Sequence, residues 1–454
     1  MTKVLLIVHD VYQDDNTFPL AEAYLASSLR KEGHKVDILC MDVYHHTDKQ
    51  LIDILRKGEY DLIGIGFMAA RYKETILPLC KLINKWKGKG KLILGGHGPS
   101  AVPEYILSNT GADAVIVGEA EKVISNAYEE ILNGSNIIYG SKYKKIDNIP
   151  TPAWDLFPME KYLNCKKYPG QNPSQKSLSM ITSRGCVNEC TFCYRMEKGL
   201  RLRSVERVVD EIEHLYNKFG VTYLEFADEC FLLNKKRLEN FTSSLENRNL
   251  KINYHCAARV KGIDEEILTL LKNSGCKFIN YGFESMSQKV LKEINKNVTI
   301  DDNRKAAVLT KKIGIPFGVN FIWGYPSDDE ETLRRNIKFI LKFNSPEQCR
   351  TIRPVTPYPG CELYYDAIKN GLLEGPEDFF NRFKNSDLIT VNFTDMDENY
   401  MYSKLFDANA ELIADYAIKS NIDFVSACHM INSFHRLYFD KDYEFRGARH
   451  YSKK

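Results

Sequence analysis

Three cysteines fall within eight residues, Cys186-Val187-Asn188-Glu189-Cys190-Thr191-Phe192-Cys193. The Cys-x3-Cys-x2-Cys spacing lets one short loop turn three thiolates toward a single point. Thiolates are soft ligands that suit iron–sulfur clusters or zinc. A closed structural zinc site takes four protein ligands. The fourth is missing locally, so one metal corner stays open for a substrate or cofactor.

The rest of the chain must carry this loop. At 454 residues it is expected to hold two or three domains. A net charge of +2 gives no broad electrostatic footprint for nucleic acid or an anionic membrane. Met1 to His9 lacks a signal-peptide cleavage pattern and reads as a first strand. No apolar run reaches the roughly 18 residues of a membrane span. Twelve cysteines without a secretory signal point to a reducing, cytoplasmic location, which also protects an oxygen-sensitive cluster.

Five apolar strands are expected in residues 1–140: Val4–Val8, Val36–Leu39, Leu62–Phe67, Lys91–Gly96 and Ala114–Gly118. Helical patterns separate them, from Leu20 to Leu29, Glu74 to Trp86 and Glu119 to Leu132. This alternation predicts a doubly wound parallel sheet, Rossmann-like, with ligands beyond the carboxyl ends of the strands. Those ends carry Asp10 to Phe18, Phe67-Met68-Ala69-Ala70, Gly95-Gly96-His97-Gly98 and Gly118-Glu119. A proline-rich linker follows at 141–176, with Cys165 read as a spare thiol.

Between 177 and 370 the strand–helix unit repeats six times, which predicts a partial (β/α)6 barrel with its chemistry at the carboxyl strand ends. The polar residues there are Asp228 and Glu229, Arg259, Glu284 and Ser285, and Trp323-Gly324-Tyr325-Pro326. Cys230, Cys256, Cys276, Cys349 and Cys361 read as small buried fillers, with a lesser role in the site left open for Cys230 and Cys361. Arg201-Leu202-Arg203 and Lys235-Lys236-Arg237 read as solvated faces. Residues 371–454 are charged and aromatic, with helices from Met401 to Ile418 and Ile422 to Phe439, and a basic tail from Arg446.

The cysteine spacing, with Phe192 just before the third cysteine, resembles the signature of the radical S-adenosylmethionine (SAM) enzymes. The resemblance implies a [4Fe–4S] cluster on Cys186, Cys190 and Cys193, with SAM chelating the unique iron. The series Gly95-Gly96-His97, Pro103-Glu104 and Asp113 to Glu119 resembles the cobalamin-binding domain that precedes this core in one large subfamily, often called class B. It implies cobalamin over the strand ends carrying Phe67, Met68, Gly95, Gly96, His97, Gly118 and Glu119. The Asp-x-His-x-x-Gly string of histidine-ligated cobalamin proteins is missing, since Ser100 stands three residues after His97. Base-off cobalamin without histidine on cobalt is therefore expected.

By the same resemblance, Asp228 or Glu229 binds the SAM amino group, and Arg259 is a candidate for its carboxylate. Glu284 and Ser285 are candidates for ribose or amino contacts, and Gly324 lies near adenine. The domains implied are 1–140 for cobalamin, 141–176 as linker, 177–370 as the radical SAM barrel and 371–454 as a mainly helical, substrate-shaping region. The activity implied is methylation of an unactivated carbon through a 5′-deoxyadenosyl radical and methylcobalamin, fed by a low-potential donor such as flavodoxin or ferredoxin. A cyclase or rearrangement enzyme with the same cofactors is the first alternative, and a non-catalytic iron–sulfur or cobalamin sensor the second. The substrate, whether small molecule, peptide or lipid, is left open.

Overall fold

The computed structural model describes residues 1–11, 16–163, 167–231 and 234–440. Six strands, β1 (Lys3–Val8), β2 (Lys35–Cys40), β3 (Leu62–Gly66), β4 (Lys91–Gly95), β5 (Ala114–Val117) and β6 (Ile137–Tyr139), form one parallel sheet. Their order is β2-β1-β3-β4-β5-β6. The inner strands are apolar almost throughout because helices cover both faces. β6 is an addition to the five strands expected; at three residues it is too short to show a period. The strand order reverses between β1 and β3, which opens a crevice past their carboxyl ends.

The second sheet starts at β7 (Lys176–Met180), after which the chain forms an antiparallel hairpin, β8 (Ser183–Cys186) with β9 (Gly199–Leu202). The sheet continues through β10 (Val221–Phe226), β11 (Asn253–Ala258), β12 (Cys276–Glu284), β13 (Phe317–Trp323) and β14 (Arg353–Pro354). All neighbours are parallel, in the order β14-β13-β12-β11-β10-β7. This is the six-stranded partial barrel that the sequence implied. Amphipathic helices such as Val205–Phe219, capped by Ser204 and ended by Gly220 at φ 72°, bury their apolar stripe against it.

The chain beyond the barrel serves two places. Helix Pro376–Arg382 inserts Phe379 and Phe380 into the core of the first module, with the Phe380 ring 4.5 Å from Tyr72. Helix Glu398–Lys419 closes the barrel edge. There the fully buried Asn409 accepts from the Ile352 amide at 2.8 Å and donates to its carbonyl at 3.1 Å. The two-residue β14 is held by this side chain as much as by its ladder. No helix among the described residues is long and apolar enough to cross a membrane. Cys165 and the basic tail lie outside the described residues.

Candidate functional site

The cysteine loop is the long connection of the β8–β9 hairpin. Gly185, at φ 80°, lies where a side chain would strike the Gly199 carbonyl. The loop is pinned from several sides. Thr191 donates its amide to the Ile294 carbonyl at 3.1 Å and accepts the Leu363 amide at 2.9 Å. The Asn295 side chain donates to the Glu189 carbonyl at 3.0 Å, and Arg195 to the Asn188 carbonyl at 2.7 Å. Asn295 and Asn297 both adopt left-handed backbone, at φ 51° and 56°. Asparagine tolerates that region better than most residues.

The thiols sit in unlike surroundings. A hydrogen bond from Cys230 lowers the pKa of Cys186, helped by the Asn188 amide and the charges of Arg259 and Lys296. Burial pushes the Cys190 and Cys193 thiols up. Cys230 is thus a buried filler that also touches a candidate ligand. Among the described residues, no three His, Cys, Asp or Glu side chains gather closely enough to hold a single metal ion. A four-iron cluster takes each thiolate on a different iron, whereas zinc draws its ligands to about 2.3 Å from one centre.

The strand ends separate residues that the sequence left equivalent. Asp228 is buried and accepts from the Thr182 and Ser183 amides, at 2.6 and 3.0 Å, and from the Thr182 hydroxyl at 2.5 Å. It ties β7 to β10 and does not face the cleft. Glu229 does, with its pKa raised by burial and by Cys186. Glu284, at φ 63°, makes a buried ion pair with Lys296 at 2.7 Å, behind Cys190. Sequence reasoning missed Lys296; it is one of three lysines between Lys289 and Lys296, and only the fold turns it inward. Ser285 corrects an expectation: it is fully buried, and its hydroxyl accepts from the Ser287 amide at 3.1 Å, so it offers nothing to the cleft.

Arg259 makes no ion pair among the described residues, and its Nε is buried without a hydrogen-bond partner. Gly324, at φ 102°, donates its amide to Asp328 at 3.0 Å in a tight turn after β13. Phe192 packs its ring 5.7 Å from Tyr325.

Across the cleft lie the glycine loops of the first sheet. Gly96, at φ 92°, lies where a Cβ would sit 3.1 Å from the Phe67 carbonyl. The Phe67 ring is in the core beside Tyr72, so it has no face to offer a ligand; Met68 beside it is 57 % exposed. Gly95 accepts the Phe67 amide at 3.1 Å and does not line the cleft. His97 sets its ring edge-on to Tyr194 of the cysteine loop, 6.1 Å apart, with its pKa lowered by burial. A Cβ on Gly118, at φ 91°, would stand 3.3 Å from Glu197.

Ion pairs stitch the two modules together around this point. Arg184 pairs with Glu121 at 2.6 Å and Glu119 at 3.6 Å, Arg201 with Glu119, and Lys142 with Glu197 at 3.1 Å. Arg201 and Arg203 are therefore not a solvated face, because Arg203 is itself buried against Glu211 at 2.6 Å. Glu119 lines the cleft but is occupied by arginines. Between the modules remains a cleft of about 300 Å³, with Gly96, His97 and Gly118 on one wall and Gly185, Ala227 and Glu229 on the other.

A parallel sheet with glycine-rich strand ends, facing a half-barrel that presents three thiols, defines a two-cofactor radical enzyme. The residues fit the groups implied: soft thiolates for iron, an orphaned guanidinium and an open carboxylate for SAM, and close-approach glycines for a flat macrocycle. Residues 180–340 match the Radical SAM superfamily, and residues 7–127 the B12 binding domain. An uncharacterized methyltransferase of Pyrococcus horikoshii is 32 % identical over 378 residues, 78 % of this chain and 79 % of that one. An anaerobic magnesium-protoporphyrin IX monomethyl ester cyclase of Rubrivivax gelatinosus is 28 % identical over 80 % of this chain and 69 % of its own length. The fold matches the radical SAM methyltransferase TsrM of Kitasatospora setae, solved with cobalamin and a [4Fe–4S] cluster, at a TM-score of 0.65 and 17 % identity, over 82 % of this chain and 75 % of that one. The chain belongs to the cobalamin-dependent radical SAM enzyme family.

Proposed function

We propose that this enzyme methylates an unactivated carbon, with SAM held at Glu229, Arg259 and Glu284 and cobalamin seated on the Gly96–His97 and Gly118 loops. The observation that carries the reading is the cleft that touches both modules at once. The cofactors supply the radical and the methyl group, and the protein supplies position and electrostatics. Glu229 accepts from the SAM ammonium. Arg259 lacks a carboxylate partner among the described residues, and it clamps the SAM carboxylate with its planar fork. Lys296 holds Glu284 in place. The ion pairs around Glu119 fix the distance between the cofactor walls.

Hydrogen abstraction by a carbon radical needs no general base, and none is asked of these side chains. The reductant in this reading is a flavodoxin- or ferredoxin-like protein, and the compartment is the cytoplasm. Anaerobic turnover with dithionite and SAM tests the proposal: 5′-deoxyadenosine must form, together with a product heavier by one CH2. The cyclase relative supports a second reading, for which 5′-deoxyadenosine forms without that mass gain. No 5′-deoxyadenosine at all leaves a sensor.

A further inference from the structure

The cleft between the modules has a third wall that neither set of cofactor residues supplies. It comes from helix Leu20–Lys31 of the first module. Leu20, Ala21, Tyr24 and Leu25 line the cleft from that helix, and Ile181 meets them from the turn after β7. Leu20 and Tyr24, like Ala21 and Leu25, stand four residues apart, so one face of the helix supplies the wall. A helix face that borders water is ordinarily polar. Here every side chain offered to the cleft is apolar or aromatic. Ala21 is exposed, and Leu20 and Leu25 are only half-buried.

The charged side chains of the same cleft are already matched. Arg184 pairs with Glu121 at 2.6 Å and Glu119 at 3.6 Å, and its guanidinium lies 5.1 Å from the centre of the Tyr24 ring. Arg201 holds Glu119 as well, and Lys142 holds Glu197 at 3.1 Å. Burial lowers the pKa of His97, so the imidazole is neutral. Glu229 is the lining carboxylate that makes no ion pair with the described residues, and it goes to the SAM ammonium in the reading above. An ionised group entering here would lose its water and meet no free counter-charge. An apolar group would only leave water, which favours it.

We propose that Leu20, Ala21, Tyr24, Leu25 and Ile181 form a subsite for an uncharged, apolar part of the substrate, an aliphatic chain or a neutral ring, at the end that is methylated. This rests on the methyltransferase reading for the word substrate, but the apolar subsite itself does not depend on turnover. A substrate with a carboxylate, phosphate or ammonium beside its reacting carbon is excluded, because the cleft has no charge left to receive it. Any charged group of the substrate stays outside the cleft. No bond is made or broken at these side chains; they are specificity residues.

The test is calorimetric titration of the full-length chain, reconstituted anaerobically with cluster, cobalamin and SAM, with hexanol, hexanoate and hexylammonium. Hexanol should bind about tenfold tighter than either ion, or more. Butanol, hexanol and octanol should tighten in that order, by up to about fourfold per CH2. Leu25→Asp puts a charge into the wall and should weaken hexanol about tenfold or more, while Leu25→Met keeps the wall apolar and should bind as wild type does. Circular dichroism checks the fold of both variants. Equal or tighter binding of either ion, no binding of hexanol, or equal hexanol binding by wild type and Leu25→Asp overturns the proposal. Hexanol binding that appears only when cobalamin is left out overturns it too, because the wall would then seat the corrin. Formation of 5′-deoxyadenosine with dithionite in the same samples separates the two claims. Alcohol selectivity without 5′-deoxyadenosine defeats the radical reading alone; 5′-deoxyadenosine without alcohol selectivity defeats the apolar subsite alone.

Discussion

Replacing Lys296 with methionine isolates the charge that the fold buries behind the cysteine loop. Lys296 and Glu284 stand 2.7 Å apart, each with a side chain only 10 % exposed. Removing one member of a buried pair leaves the other uncompensated, at a cost of about 3–5 kcal/mol. Here the stranded carboxylate also faces the Cys190 thiol, so the upper half of that range is expected. Removing both charges relieves the penalty: Lys296→Met with Glu284→Gln should recover at least half of the loss, giving a coupling of about 2 kcal/mol or more. Urea unfolding of the apo chains, read by circular dichroism, supplies the four corners of the cycle. If Lys296→Met costs under about 1 kcal/mol, or the double variant is the sum of the singles, Lys296 does not hold Glu284 as a buried ion pair.

Glu229→Gln should weaken SAM binding about tenfold or more, while Asp228→Asn should chiefly destabilise the chain; equilibrium dialysis with labelled SAM and a melting curve separate the two. Glu22 gives the pH prediction. Burial raises its pKa from 4.5 to about 7, so the folded chain favours the protonated form. That stability is full below pH 4.5 and lost as pH rises to 7, a penalty of about 3 kcal/mol above it. Glu22→Gln should then stabilise the protein at pH 8 and leave it unchanged at pH 4; equal effects at both pH values would refute this. The Co(II) form should show no imidazole nitrogen splitting in its EPR spectrum, and splitting that His97→Ala removes would place a histidine on cobalt.

The first sheet was legible because its inner strands, buried on two faces, read as continuous apolar runs, and the barrel from repeated strand–helix units whose strands end in polar residues. The β8–β9 hairpin was not, because Ser183–Cys186 and Gly199–Leu202 pair across a loop and lack alternation. Arg201 looked like a surface residue because the acid that buries it, Glu119, comes from the first module, and Arg203 because its partner Glu211 shows only once the following helix folds back on it. Asp228 and Glu229 were adjacent carboxylates, separable only by seeing which one the Thr182 and Ser183 amides claim. Phe379 and Phe380 lie in the region expected to shape the substrate, yet they fill the core of the first module because the chain doubles back across it.

One chain of this family is built to hold an iron–sulfur cluster and a corrin face to face. The decisive measurement is chemical analysis of iron, sulfide and corrinoid in anaerobically prepared protein. About four iron and four sulfide per chain are expected with one corrinoid, and loss of the iron but not the corrinoid in Cys186→Ala, Cys190→Ala and Cys193→Ala. Protein that takes up neither iron–sulfide nor corrinoid would contradict it.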